Sequence, residues 1–172
     1  MRRLAEAIGY SPTAIYLYFK NREAIVAELG REGLSQLAVE LGKVPGELPP
    51  LERLLKYAGA YIRFSAEHVD TYRLIFMETP GLSDAVFRGH KGEVPSEAGR
   101  RAFASFIRAF MELSVTDPAW AKCDPLRSAE VYWTSLHGIA SLKSTCGKLL
   151  RTDAEGLIGL AIPSLLNGMA QP

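Results

Sequence analysis

The sequence predicts an all-α protein built from a short N-terminal helical domain, residues 1–44, and a longer C-terminal helical bundle, residues 45–172. Apolar residues recur at spacings of three and four almost throughout the chain, as they do along the buried face of a helix. No segment alternates between apolar and polar residues in the manner of a strand. Glycine, proline and helix-capping residues divide the chain into about seven or eight helices. The divisions fall at residues 9–11, 20–21, 44–50, 79–95, 116–124 and 151–152.

The composition is that of an ordinary globular chain with no overall electrostatic preference for a partner. The chain has 172 residues, of which 48% are hydrophobic, and a formal net charge of +1. It contains no apolar run of membrane-spanning length and no secretory signal. Cys123 and Cys146 lie outside any CxxC spacing, which favours free thiols over a zinc site or a disulfide framework. We therefore expect a soluble cytoplasmic protein with no membrane partner.

The first helices have the spacing of a helix-turn-helix unit. Leu4, Ala5 and Ile8 form the expected apolar face of the first helix, which is followed by Gly9, a residue that permits a sharp turn through positive φ. Ser11 and Pro12 supply an N-cap and a first helical residue for a second helix two residues later. Asn21 can cap the third helix, which is expected from Arg22 to about residue 42 and joins this unit to the bundle.

In such a unit the second helix lies in the major groove of DNA, with its early residues towards the base edges. Ser11, Thr13 and Ala14 are placed to face bases. The phenolic groups of Tyr16 or Tyr18 can donate hydrogen bonds to phosphate oxygens. The first 22 residues hold four basic side chains against one acidic one, which makes this end of the chain the basic end.

The stretch RRLAEAIGYSPTAIYLYFKNREAIVAEL resembles the DNA-binding signature of the TetR family of bacterial repressors. The resemblance rests on residues in unbroken order, namely Leu4-Ala5, Gly9, Ser11, Tyr16, Phe19, Asn21 and Ile25. It implies DNA contacts by Tyr10, Ser11, Thr13, Ala14, Tyr16, Leu17, Tyr18, Lys20 and Arg22. The family has Lys more often than Arg at position 22, and often His at position 18. Its DNA-binding domain has three helices, so the domain in residues 1–44 is expected to be incomplete, without the first of them.

Two long helices are expected at the C-terminal end, and each has an identifiable start. Asp124 before Pro125 places a carboxylate at an N-cap, and Thr152 with Glu155 has the spacing of a capping box. No charged residue follows Gly156, which favours a homodimer interface over packing within one chain. The stripe expected at this interface consists of Leu157, Ile158, Ala161, Leu165 and Met169.

The stretch VYWTSLHGIASL resembles the Trp-His-Gly signature of one subgroup of TetR-type C-terminal domains. Trp133 and His137 are four residues apart and so share a helix face, where they are either packed core residues or ligand contacts. Gly138 is expected to allow close approach of another helix. The family resemblance also implies an apolar ligand cavity between the middle helices, although aromatic residues at helical spacing equally suit any bundle core. The candidates are Tyr61, Phe64, Tyr72, Phe76, Phe106, Phe110, Trp133 and His137. Residues 79–95 are long and irregular enough to act as a lid.

Catalytic chemistry has no visible site in the sequence. His68, His90 and His137 have no carboxylate or cysteine partner at ligand or triad spacing, and no glycine-rich phosphate loop occurs. We expect no enzymatic activity, no metal and no cofactor. The prediction is a TetR-type repressor that binds palindromic double-stranded operator DNA as a homodimer and is released by a small hydrophobic or aromatic effector. The alternative is a dimeric small-molecule-binding protein that has lost DNA binding because its DNA-binding domain is incomplete.

Overall fold

The computed structural model describes residues 1–78 and 97–170, and these residues form helices and connecting turns without any strand. The predicted all-α class is therefore confirmed. The helices are α1 (Arg2–Ile8), α2 (Pro12–Tyr18), α3 (Arg22–Gly42), α4 (Pro50–Glu67), α5 (Val69–Arg73), α6 (Glu97–Thr116), α7 (Pro125–Cys146) and α8 (Ala154–Met169). A π-helix, Leu74–Glu78, continues α5, and a 3-10 turn, Pro118–Trp120, follows α6. The predicted lid at residues 79–95 lies outside the described residues.

Three helix starts are capped by the residues that the sequence predicts. The Ser11 hydroxyl accepts a hydrogen bond from the Ala14 amide at 3.1 Å, and the Asn21 side chain accepts one from Ala24 at 2.8 Å. The Asp124 carboxylate accepts from the amides of residues 126 and 127 at the start of α7. Each cap satisfies an amide that has no partner within its own helix. These predictions are confirmed.

The predicted capping box at the start of α8 is wrong by one residue. The side chain of Asp153, and not that of Thr152, accepts the hydrogen bond from the Gly156 amide, at 2.8 Å. A short carboxylate at the N-cap also interacts favourably with the positive end of the helix dipole, which a hydroxyl does not. Asp153 therefore displaces its neighbour from the capping position.

Helix α4 lies at the centre of the bundle and packs against α3, α6, α7 and α8. It buries Leu54, Tyr57, Tyr61 and Phe64, and full burial of such a side chain contributes about 1.5–3 kcal/mol. Tyr132 of α7 is fully buried and donates a hydrogen bond to the carbonyl of Leu54 at 2.5 Å, which fixes α7 against α4. The bundle therefore has one continuous core around α4.

Arg53 is a buried cation in this otherwise apolar core. Its guanidinium donates to the Gly46 carbonyl in the α3–α4 loop and forms an ion pair with Glu112 of α6. The side chain of Arg53 is 7% exposed, whereas that of Glu112 is 42% exposed. One buried charge thus holds together a loop and two helices.

Helices α1 and α2 form a small head on the N-terminal end of α3. Gly9 has φ 71°, so the chain turns through the left-handed region between the two helices, as predicted. Ala5 and Ile15 are buried between the helices of the head and lie apart from the main core. Leu4 and Ile8 of the expected apolar face are instead exposed.

Candidate functional site

The exposed face of α2 carries the residues that the family resemblance predicts as DNA contacts. Tyr16, Leu17 and Tyr18 project from the helix and are 53%, 79% and 83% exposed, while Ile15 on the opposite face is buried and anchors the helix. Ala14 is half-buried. The remaining candidates are all exposed, namely Tyr10, Ser11, Thr13, Lys20 and Arg22. An amphipathic helix of this kind presents hydroxyl groups and apolar groups to an external partner.

The charges around this face are free to meet phosphates. Within residues 1–78 and 97–170, no ion pair engages Arg2, Arg3, Lys20 or Arg22. Arg22 is also the first residue of α3, whose first-turn amides interact favourably with anions. Cations that are not neutralised within their own chain retain their attraction for a polyanion.

A small apolar cavity lies between α3, α4, the π-helix, α6 and α7. Its free volume is about 10 Å³, enough for at most one water molecule. No lining side chain among the described residues is charged. The lining residues are Leu37, Leu41, Tyr61, Phe76, Gly99, Ala102, Phe103, Phe106 and Trp133.

Four of the eight predicted pocket residues line this cavity, and four do not. Tyr61, Phe76, Phe106 and Trp133 are in its wall. Tyr72 and His137 lie directly behind that wall, joined to it by hydrogen bonds. Phe64 packs instead on His68, with ring centres 4.9 Å apart, and Phe110 packs on Trp120 at 5.5 Å.

Sequence reasoning missed Leu37, Leu41 and Phe103, which complete the cavity wall. Leu37 and Leu41 belong to α3, the helix that carries the head, and they are buried on its body-facing side. Their spacing of four would have identified them as core residues, but not as neighbours of Trp133. Phe103 packs against Trp133 with ring centres 5.4 Å apart. Its spacing of three from Phe106 was the available signal.

A hydrogen-bonded network of four side chains closes one side of the cavity. The Tyr72 hydroxyl lies 2.6 Å from His137 Nδ1, and the Trp133 indole donates to the Tyr61 hydroxyl at 3.3 Å. The Tyr61 hydroxyl is 3.5 Å from the same nitrogen of His137, which is the outer limit of a hydrogen bond. Tyr61 and Tyr72 pack edge to face, with ring centres 6.1 Å apart.

The three titratable groups of this network, Tyr61, Tyr72 and His137, are uncharged near neutral pH, and burial shifts the pKa of each further in that direction. Burial raises the pKa of Tyr61 to about 12, and it raises the pKa of Tyr72 as well. It also lowers the pKa of His137 below its usual value, so the imidazole is neutral. A protonated tyrosine beside a neutral imidazole donates its proton, so Tyr72 is the donor and His137 Nδ1 the acceptor.

Gly138 does not have the role that the sequence predicted for it. It is exposed, and a Cβ atom at this position would meet no atom of residues 1–78 or 97–170 within 4 Å. The expected close approach of another helix at Gly138 is therefore wrong within one copy of the chain. Val131, Gly138 and Leu142 are all exposed, and their spacing places them on one face of α7.

The predicted interface residues of α8 divide between the core and the surface. Ile158 and Met169 pack against the core of their own chain, and Leu157 and Leu165 are half-buried. Ala161 is exposed, beside Leu160, which is 69% exposed. The outward apolar surface of α8 is therefore centred on Leu160 and Ala161 rather than on the whole predicted stripe.

No group of three or more histidine, cysteine, aspartate or glutamate side chains among the described residues is arranged to hold a metal ion. None of the helices in the described part of the chain is long and apolar enough to cross a membrane.

A helix-turn-helix head on an all-helical body is the arrangement expected of a DNA-binding regulator, and sequence comparison gives its family. Residues 1–29 match the profile of bacterial regulatory proteins of the tetR family. Residues 54–163 match the profile described as a tetracyclin repressor-like C-terminal domain, which spans more than half of the chain. The chain belongs to the TetR family of regulators.

Solved structures share this fold over nearly the whole chain. A protein of unknown function from Rhodococcus sp. RHA1 is similar with a TM-score of 0.75 and 25% identity, covering 99% of this chain and 84% of the other. A provisionally named regulatory protein, SCO4313, is similar with a TM-score of 0.69 and 21% identity, covering 96% and 84%, which supports the fold alone. No curated protein matches the chain significantly in sequence.

Proposed function

We propose that the protein is a transcriptional repressor that binds a palindromic operator as a homodimer and releases it when a small hydrophobic or aromatic effector enters the cavity. One observation carries this proposal. Leu37 and Leu41 line the cavity, and they belong to the same helix, α3, whose first turn supports the DNA-binding head. A molecule that enlarges the cavity by pushing on Leu37 and Leu41 would displace the helix to which the head is attached.

DNA recognition is assigned to the exposed face of α2. Thr13 and Ala14 would meet base edges, while Tyr16, Tyr18 and Arg22 would contact phosphates. A single head of this size provides few contacts, so useful affinity needs two copies on two half-sites, one helical turn or a multiple of it apart.

The dimer interface is proposed on the outward faces of α7 and α8. Val131, Leu142 and Leu160 are exposed apolar residues there, and the glycine at position 138 leaves room for a helix of the partner. Exposed apolar residues grouped on one surface are typical of an interface between subunits.

Release follows from linkage between two binding sites. The effector-free cavity holds at most one water, so an effector binds only a conformation in which the walls have moved apart. If that conformation holds the two heads at a spacing that does not fit the operator, the effector lowers the affinity for the operator. The size of this effect equals the ratio of the effector's affinities for the open and the DNA-bound conformations.

The test is a fluorescence-anisotropy titration of the protein with the DNA that flanks its own gene, at several salt concentrations. Salt-sensitive binding that prefers one sequence is expected. Tyr16→Ala should weaken it at least about tenfold, because a phosphate contact is lost from both heads. The matched control is Val115→Ala, which truncates an exposed side chain on α6, far along the sequence from the head.

Two outcomes would contradict the proposal. One is that no sequence-preferring DNA binding occurs, which would favour a ligand-binding dimer without a DNA partner. The other is that Tyr16→Ala binds the operator as tightly as Val115→Ala does. Circular dichroism of both variants, with unchanged melting temperatures, shows that neither result comes from unfolding.

A further inference from the structure

The chemistry of the cavity wall limits the kind of effector that fits it. Of the nine lining residues in the described part of the chain, seven contribute only aliphatic, aromatic or glycine surface. The other two, Tyr61 and Trp133, contribute one hydroxyl and one indole N–H. No charged side chain in the described part of the wall offers a counter-charge to an ion. A matching molecule therefore has an apolar body and a single uncharged polar group.

The hydrogen bonds behind the wall run in one direction. An indole N–H only donates, so Trp133 begins the series by donating to Tyr61. Neutral His137 accepts at Nδ1 from Tyr72 and so ends it. The Tyr61 hydroxyl, which accepts from Trp133, lies 3.5 Å from the same Nδ1 atom of His137, so its own proton is also directed towards His137. Donation therefore runs from Trp133 to Tyr61 and on towards His137, while Tyr72 donates to His137 separately.

The hydrogen bond from Trp133 to Tyr61 is a weak one. The indole nitrogen of Trp133 lies 3.3 Å from the Tyr61 oxygen, longer than the usual N–H···O distance of about 2.9–3.0 Å. The Tyr72 bond to His137 is short, at 2.6 Å. The weak bond is also the one made by the two residues that line the cavity. A ligand can replace it without disturbing the rest of the network.

We infer that the effector is an uncharged aromatic or alicyclic alcohol or phenol whose hydroxyl inserts between Trp133 and Tyr61. The inserted hydroxyl accepts from the indole N–H and donates to the Tyr61 oxygen, so every bond in the series keeps its direction. An ether or ketone oxygen accepts a hydrogen bond from Trp133 but has no hydrogen to donate to the Tyr61 oxygen. A carboxylate would be buried without a cation, and a hydrocarbon makes neither hydrogen bond. This inference rests on the proposed function, because it concerns the same cavity.

The test uses four probes that share one body: toluene, p-cresol, 4-methylanisole and 4-methylbenzoate. Their affinities for the full chain are measured by isothermal titration calorimetry. We expect p-cresol to bind about five- to tenfold more tightly than toluene or 4-methylanisole, which corresponds to the net effect of the added hydrogen bonds. The anion 4-methylbenzoate should bind most weakly.

Two variants assign the preference to the two residues. Tyr61→Phe and Trp133→Phe should each reduce the ratio of p-cresol to toluene affinity to about one, because each removes one partner of the hydroxyl. The matched control is Tyr57→Phe, since Tyr57 is a buried tyrosine one turn earlier in α4 that does not line the cavity. This control should keep the wild-type ratio.

The outcomes separate the inference from the proposed function. Any of three results overturns the inference: equal affinity for p-cresol and toluene, tightest binding of the anion, or no binding of any probe. The result of the operator titration does not depend on these measurements, because that titration uses no ligand. A preference for p-cresol that is lost in Tyr61→Phe supports the inference. If p-cresol binds in this way and the operator complex is unaffected by saturating p-cresol, release by an effector is contradicted while the assignment of the ligand chemistry remains.

Discussion

Replacing Gly33 with alanine should destabilise the protein, although alanine is the better helix former. Gly33 is buried in α3 where this helix crosses α5 and the π-helix. A Cβ atom at this position would lie 2.7 Å from Ile75 Cδ1 and closer still to Thr71 Cγ2, whereas ordinary contacts begin at 3.4 Å. The side chains or the helices must therefore move apart by about 1 Å, which is an overpacked contact.

The expected size of the effect follows from two opposing terms. Alanine in place of glycine within a helix contributes about 1 kcal/mol of stability. Overpacking a filled contact costs about 1–3 kcal/mol, and Thr71 cannot easily rotate away because a β-branched side chain is restricted at χ1. The net expectation is a loss of about 1 kcal/mol. Gly59→Ala is the matched control, because its Cβ would meet only the flexible guanidinium of Arg63, at 3.4 Å.

The measurement is urea unfolding followed by circular dichroism at one fixed protein concentration, since dimerisation would make stability depend on concentration. Gly59→Ala should be more stable than the wild type by about 1 kcal/mol, so the two variants should differ by about 2 kcal/mol. If Gly33→Ala is stabilised as much as Gly59→Ala, α3 and α5 are not in close contact in solution and the reasoning is refuted.

Two further predictions concern buried polar groups. Burial raises the pKa of Tyr61 from 10.0 to about 12. The stability that the protonated Tyr61 hydroxyl contributes to the folded state is therefore fully present below pH 10 and is lost as the pH rises towards 12. Up to about 3 kcal/mol of stability should disappear in that interval, and Tyr61→Phe should retain more helical signal at pH 11 than the wild type; an equal loss would contradict this. Glu112→Gln leaves Arg53 buried without its counter-charge and should lower the free energy of unfolding by about 2 kcal/mol. Thermal denaturation should show little change for the exposed control Glu130→Gln, and equal stability of the two variants would rule out a stabilising ion pair.

The features that the sequence predicted correctly are those set by local chemistry. Ser11, Asn21 and Asp124 cap helices because their side chains reach amides two or three residues ahead. Gly9 turns between two helices because it alone adopts the left-handed conformation without strain. The one local error, Thr152 for Asp153, arose where two good capping residues stand side by side.

The features that the sequence did not predict depend on how distant segments pack. Tyr72 and His137 are hydrogen-bonded across 65 positions of sequence, and no local spacing relates them. Phe106 and Phe110 look alike in sequence and are both buried, yet only Phe106 faces the cavity, because Leu37 and Leu41 of α3 close the space beside it. The π-helix was also absent from the prediction, because its extra residue per turn leaves no signature in apolar spacing.

The arrangement of contacts along α3 determines how opening of the cavity would reach the head. Gly33 holds α3 against α5 and the π-helix, while Leu37 and Leu41 touch the cavity about 6–12 Å further along the helix. Arg22, at the head, lies about 17 Å from Gly33 in the other direction. If the tight contact at Gly33 acts as a pivot, an outward movement of about 1 Å at Leu37 and Leu41 displaces the head by about 2 Å in the opposite sense. The contact that prevents a side chain at Gly33 is thus also the contact that would convert a small expansion of the cavity into a larger change in head spacing.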